Sequence, residues 1–80
     1  MTGATGKFGR ILCEYFLQAG DTVVGCGRSE SKLRRIAVSS AKNSSRFHGI
    51  AVDFMAPESV EQFCTELAAR DLWPDCLINN

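Results

Sequence analysis

Apolar residues recur at helical spacing from Phe8 onward: Phe8, Ile11, Leu12, Tyr15, Phe16 and Ala19 fall at i, i+3, i+4, i+7 and i+8, with Arg10, Glu14 and Gln18 opposite them. The spacing predicts a helix that turns this stripe, Tyr15 included, toward the core. Gly20 suits the left-handed position that ends such a helix, and the apolar run at 22–26 then predicts a short buried strand. Leu33, Ile36 and Ala37 predict a second, more polar helix over 30–38, with Glu30 near its positive end. Residues 39–46 are dense in serine and lack apolar periodicity, which predicts a solvated connection into a strand over 47–53. Pro57 fits a first helical position, and Val60, Phe63, Cys64, Leu67 and Ala68 trace a third apolar face up to a break near Trp73-Pro74. Cys76, Leu77 and Ile78 predict a last strand. Helix and strand alternate throughout, so the expected class is α/β, with a parallel sheet covered by right-handed crossovers.

Composition narrows the functions available. With 45% hydrophobic and 22% charged residues and a formal net charge of zero, no strong field draws in nucleic acid or an anionic membrane surface. No apolar run approaches 18 residues, and the glycine-rich opening lacks the basic-then-apolar pattern of a secretion signal, so the expected location is the cytoplasm. Cys13, Cys26, Cys64 and Cys76 are widely spaced, with no C-x-x-C pair and one histidine in the chain. They are expected to be free, mostly buried thiols, and no metal site is expected. At 80 residues the core is small, since a chain of this order buries about 60% of the surface it exposes when unfolded.

The opening T-G-A-T-G-K-F-G places Gly3, Gly6 and Gly9 before and inside the first helical turn, with Thr5, Lys7 and Phe8 between them. Backbone N–H groups and the helix dipole favour a phosphate at such a place, while a tight turn accounts for the same glycines without one. A phosphate loop of the G-x-x-x-x-G-K-[ST] type fails: its first glycine would fall at Met1, and Phe8 stands where the magnesium-binding hydroxyl belongs. The second segment ends V-V-G-C-G-R-S, nineteen residues from Gly9 to Arg28, about where a dinucleotide fold sets the residue that meets the adenosine ribose. No acid lies between Asp21 and Glu30; Gly27 offers open space, and the Arg28 guanidinium, with Ser29 beside it, suits a 2′-phosphate. NADP(H) is therefore expected over NAD(H), against the alternative of Arg28 as a solvated turn residue. Lys7 either lies near the phosphates or is a solvated helix-terminal lysine. A dinucleotide fold opens on a strand that runs into the glycine loop, and this chain starts inside that loop. In the order 3-2-1-4 the missing first strand would be central, between 22–26 and 76–78.

These landmarks together, T-G-A-T-G-K-F-G, V-V-G-C-G-R-S-E-S-K-L, A-V-D-F and D-C-L-I-N-N, resemble in order those of the short-chain dehydrogenases/reductases over the whole chain. The resemblance implies a partial doubly wound (Rossmann) parallel sheet with flanking helices and its first strand missing, residues 1–80 being one such domain truncated at both ends. It also implies that Asp53, followed by Phe54, contacts the adenine, and that Asn79-Asn80 begins the Asn-Asn-Ala-Gly motif beside the cofactor. Gly3-x-x-Gly6-x-x-Gly9 matches the extended branch, often acting on nucleotide sugars, whereas Arg28 and Asn79-Asn80 match the classical branch. The family's catalytic Ser and Tyr-x-x-x-Lys are not among these residues: four places after Tyr15 stands Ala19, and His48 reads as a strand-start residue. No catalytic residue is assigned. The implied function is the cofactor-binding segment of an NADP(H)-dependent oxidoreductase interconverting alcohol and carbonyl, inactive alone, with a small-molecule substrate and any homo-oligomer contacts supplied by other segments. The alternative is a non-catalytic nucleotide-binding module.

Overall fold

The computed structural model describes residues 1–39 and 41–80. Helix α1 (Lys7–Gln18) leads into strand β1 (Val23–Gly27), helix α2 (Glu30–Ser39), a 3-10 turn (Ala41–Arg46), strand β2 (Phe47–Ala51) and helix α3 (Pro57–Ala69). The serine-dense connection expected at 39–46 is thus largely a 3-10 turn, and residue 40 within it lies outside the described residues. Strands β1 and β2 pair in parallel, Val23 opposite Phe47 through Gly27 opposite Ala51. Helix α2 makes the crossover between these parallel strands, with its Leu33 and Ile36 buried.

Helix α1 buries a different stripe from the one its periodicity predicts. Gly9, Cys13 and Leu17 face the sheet, while Phe8, Ile11 and Tyr15 are 63%, 57% and 66% exposed, so Tyr15 is a surface residue and not a core one. Both stripes satisfy helical spacing; close packing selects the one with small residues. A Cβ on Gly9 would sit 2.0 Å from the Gly3 carbonyl oxygen and 2.9 Å from Ala4 Cα, so the helix lies on the chain at a distance only glycine permits. Around that contact Ala4, Cys13, Leu17, Val23, Leu33, Ile36 and Phe47 form the core, which puts α1 and α2 on one face of the sheet.

The end of α1 follows the expected pattern. Gly20, at φ +96°, donates to Leu17 O, and Asp21 N–H donates to Phe16 O, the paired bonds that close a helix on a left-handed residue. The Arg46 guanidinium donates to the Leu17 carbonyl there, a cation placed at the negative end of the helix. Helix α3 closes in the same way with Asp71, at φ 55°, in the left-handed position.

The segment at 76–78 is not assigned as a strand. Thr2 N–H donates to Ile78 O at 3.1 Å, which ties it to the N-terminal loop. On the other side of that loop, Cys26 N–H donates to Met1 O at 2.9 Å and Ala4 N–H to Cys26 O at 3.2 Å. Residues 1–4 therefore stand between β1 and the C-terminal segment at one end of the sheet only, and a strand needs a neighbour along its length to hold its ladder. For the same reason α3 buries none of its residues fully; Val60, Phe63 and Leu67 are half-buried, and Cys64 and Ala68 of the expected face are exposed.

Candidate functional site

The loop before α1 is built for close backbone approach. Gly3 adopts φ +64°, and a side chain there would meet the Asn80 carbonyl oxygen at 2.7 Å. Gly6 N–H donates to Gly3 O at 3.1 Å, closing the turn, and Gly6 then takes the cap position with no side chain capping the helix and no acid in its first turn. The first amides of α1, at Lys7, Phe8 and Gly9, have no intrahelical acceptor, so they retain the anion preference of an open helix N-terminus.

Two further elements end beside this loop. Gly27 closes β1 directly under Thr5: a Cβ on Gly27 would lie 3.0 Å from Thr5 Cγ2, so the space expected there is filled by the loop itself. Arg28 follows, exposed, and makes no ion pair or hydrogen bond among the described residues. Ser29, expected beside Arg28, stands at the start of helix α2. Its hydroxyl accepts the Lys32 N–H at 3.3 Å and lies 3.1 Å from Ser31 Oγ, which makes it the cap of α2. Past β2, Val52 N–H donates to Gly27 O at 2.8 Å and brings Asp53 alongside. One Asp53 oxygen accepts Met55 N–H at 3.0 Å, and Asp53 N–H donates to Ser59 Oγ at 2.9 Å, fixing the carboxylate at the mouth of the cleft.

Thr2, not among the expected site residues, joins the two chain ends. Its hydroxyl donates to Asn79 Oδ1 at 2.8 Å and accepts Asn80 N–H at 3.0 Å. The available signal was its place directly before Gly3, in register with Ile78. The result is a cleft of about 1360 Å³ lined by Gly3, Thr5, Arg28, Asp53, Phe54, Asn79 and Asn80 of the expected residues. Gly6, Lys7, Phe8 and Gly9 lie outside its lining, and Phe8 points to solvent on the outer stripe of α1.

The arrangement agrees with what comparison shows, because the model of the short chain dehydrogenase family matches residues 1–80. The chain belongs to the short chain dehydrogenases. Among its relatives, the serine 3-dehydrogenase of Rhizobium radiobacter is 35% identical over 82 residues, covering all of this chain and 31% of the relative. The NADPH-dependent pterin aldehyde reductase of Arabidopsis thaliana is 33% identical over 81 residues, again covering the whole chain and 33% of the relative. A crystal structure of a protein assigned to the short chain dehydrogenases of Escherichia coli CFT073 superposes with a TM-score of 0.74 at 26% identity, covering 86% of this chain and 32% of that one. The chain spans about a third of the length of the curated relatives it matches.

In this short chain dehydrogenase chain the thiols do not follow the expectation of general burial. Cys13 and Cys26 are buried, Cys64 and Cys76 exposed. Burial raises the Cys13 and Cys26 pKa values, opposed by the nearby N-terminal ammonium, and for Cys13 the neighbouring Cys26 adds to the rise. These are packed, protonated thiols and not nucleophiles. Among the described residues no cluster of His, Cys, Asp and Glu suits a metal, and no helix is long and apolar enough to cross a membrane.

Proposed function

We propose that this chain supplies the adenosine and pyrophosphate half of an NADP(H) site in an oxidoreductase that interconverts an alcohol and a carbonyl. The observation that carries the reading is the convergence, at one cleft, of Gly3 and Thr5 of the glycine turn, the exposed Arg28 and the anchored Asp53. The uncapped amides at the start of α1 suit the pyrophosphate. Arg28 faces the position of a 2′-phosphate, which its guanidinium pairs with and which an acid there would repel. Asp53 and Phe54 take the adenine side, and Asn79-Asn80, held by Thr2, the side toward the nicotinamide. When bound, the cofactor supplies hydride transfer; these residues bind and orient it, and substrate, proton transfer and subunit contacts belong to other parts of such an enzyme. A cytoplasmic compartment fits the free thiols.

Titration with NADPH and NADH, followed by cofactor fluorescence, tests this. NADPH is expected to bind the wild type more tightly than NADH, by about tenfold for a charge-assisted contact of roughly 1.5 kcal/mol. Arg28→Ala is expected to erase the difference while leaving NADH affinity in place. Equal affinities in the wild type, or no binding by a chain whose circular dichroism shows it folded, would overturn the reading.

A further inference from the structure

We propose that the outer edge of β2 is a self-association surface, where a second copy of this chain adds its own β2 antiparallel across a two-fold axis. Among the described residues β2 has β1 as its one neighbour. In the order 3-2-1-4 it is the outermost strand, so this edge does not depend on residues ahead of Met1. None of Phe47–Ala51 borders the cleft assigned to the cofactor, and the contact is separate from subunit contacts made by other parts of such an enzyme.

The ladder fixes which backbone groups are on offer. Val52 N–H donates to Gly27 O at 2.8 Å, so by alternation Ile50 and His48 also turn toward β1. Phe47, Gly49 and Ala51 aim N–H and C=O outward, and among the described residues no backbone bond closes on Gly49 or Ala51 from that side. Such an edge is commonly blunted by Lys, Pro or a bulge. Phe47–Ala51 reads F-H-G-I-A and pairs with β1 in unbroken register, so it carries none of these. With Gly49 on the axis, Gly49 exchanges both bonds with Gly49 of the second copy, and Phe47 does so with its Ala51.

Helix α2 argues for a second copy as the occupant. It makes the crossover between β1 and β2, so it runs about half a strand spacing inside β2, while the axis stands as far outside. The two copies of α2 then lie antiparallel on one face of the joined sheet, about 9.6 Å apart, within the roughly 8–10 Å of packed helices. Their facing flanks match in charge. Leu33 and Ile36 turn to the sheet, and Glu30, Arg34 and Val38 follow at i, i+4 and i+8 along one flank, with Val38 76% exposed and Glu30 paired to Arg34 at 3.2 Å. In the right-handed crossover that parallel strands adopt almost without exception, that flank lies on the outer side of β2. A Cβ on Gly49 would sit 3.0 Å from Leu33 Cβ, which sets Leu33 level with the axis. Antiparallel helices centred there bring Glu30 of each copy within one turn of Arg34 of the other, opposite charges facing.

Sedimentation of the 80-residue chain over a concentration series tests this. The joined surface is small, so a dissociation constant of about 10–100 μM is expected. Hydrogen exchange at Gly49 and Ala51 is expected to slow by about fivefold or more from dilute to concentrated samples, while His48 and Ile50, already bonded to β1, keep their rates. Ala51→Pro removes an outward N–H that an edge strand can spare. It is expected to leave the circular dichroism unchanged and to raise the dissociation constant by about tenfold or more. Arg34→Glu raises it as well, and Glu30→Arg combined with Arg34→Glu restores it, because the pairs re-form with their charges exchanged. Should Ala51→Pro unfold the chain, the charge exchange and the amide pattern decide. A chain that stays monomeric throughout, a dimer untouched by a folded Ala51→Pro, or slowing that spares Gly49 and Ala51 overturns the inference.

Discussion

The two halves of this chain carry amphipathic helices of similar length and treat them differently. Helix α1 seals Cys13 and Leu17 completely, whereas α3, with Val60, Phe63 and Leu67 on one face, buries nothing fully. The difference lies less in the helices than in what stands opposite them. Helix α1 packs on β1, the 3-10 turn and the N-terminal loop, within one shared core. Helix α3 faces the sheet where its centre is occupied only by residues 1–4, and its apolar face is left half-wet. A sequence periodicity specifies which face a helix offers, and the neighbouring backbone decides whether the offer is taken up.

The sharpest way to break this comparison is to truncate one leucine in each half. Leu17→Ala removes a fully buried side chain from the middle of the core and is expected to cost about 3 kcal/mol. Leu67→Ala, on the half-wet face, is expected to cost less than about 1 kcal/mol. Urea denaturation midpoints measure both, and equal losses would mean that the α3 face is packed in solution. Next in size is Gly9→Ala, because its Cβ would stand 2.0 Å from the Gly3 carbonyl oxygen and must push α1 off the loop. A loss of about 2 kcal/mol is expected, together with loss of NADPH affinity, because the helix amides and the glycine turn move apart.

The alternation of elements and the ends of α1 and α2 were legible because they rest on local rules: Gly20 for a left-handed cap, Glu30 near a helix start, a run of valines for β1. That Gly3, Arg28, Asp53 and Asn79-Asn80 belong to one candidate site was an expectation from their order along the chain, and the fold sets all of them along one cleft. What the sequence hid depends on contacts between distant residues. Tyr15 and Phe8 looked like core because their stripe has helical spacing, yet the contact between Gly9 and Gly3 turns that stripe outward. The capping role of Ser29 was hidden behind its place beside Arg28: its hydroxyl accepts a nearby helix amide. Thr2 went unnoticed because its role is set by Asn79 and Asn80, nearly the whole chain length away.

Thr2 also offers a smaller effect that sharpens the contrast between halves. Thr2→Val keeps the shape and removes the hydroxyl that holds Asn79 and Asn80. Loss of about 1 kcal/mol is expected, confined to the C-terminal segment: amide exchange at 79–80 speeds up while that of β1 and β2 stays as it was. Uniform acceleration through β1 and β2 would show that the two halves unfold as one unit.

The thiols divide along the same line and give the mildest probe of it. Cys13 and Cys26 are sealed in the first half, and Cys64 and Cys76 lie open in the second. A gentle alkylating reagent is therefore expected to label two thiols quickly and the other two only at the rate of unfolding. Alkaline pH acts on the sealed pair. Their folded pKa values are raised, mainly by burial, so the folded state holds these protons more tightly than the unfolded chain. Stability is then undiminished below the ordinary thiol pKa of about 8.5 and falls as pH rises from there through the raised folded values, where the unfolded state releases protons first. Cys13→Ala with Cys26→Ala is expected to flatten that alkaline slope, read from urea midpoints between pH 7 and about 10. Cys64→Ala with Cys76→Ala is expected to leave it unchanged, since both side chains are exposed and lie outside the sealed core. An alkaline slope that survived the first pair and vanished with the second would place the sealed core in the wrong half of the molecule.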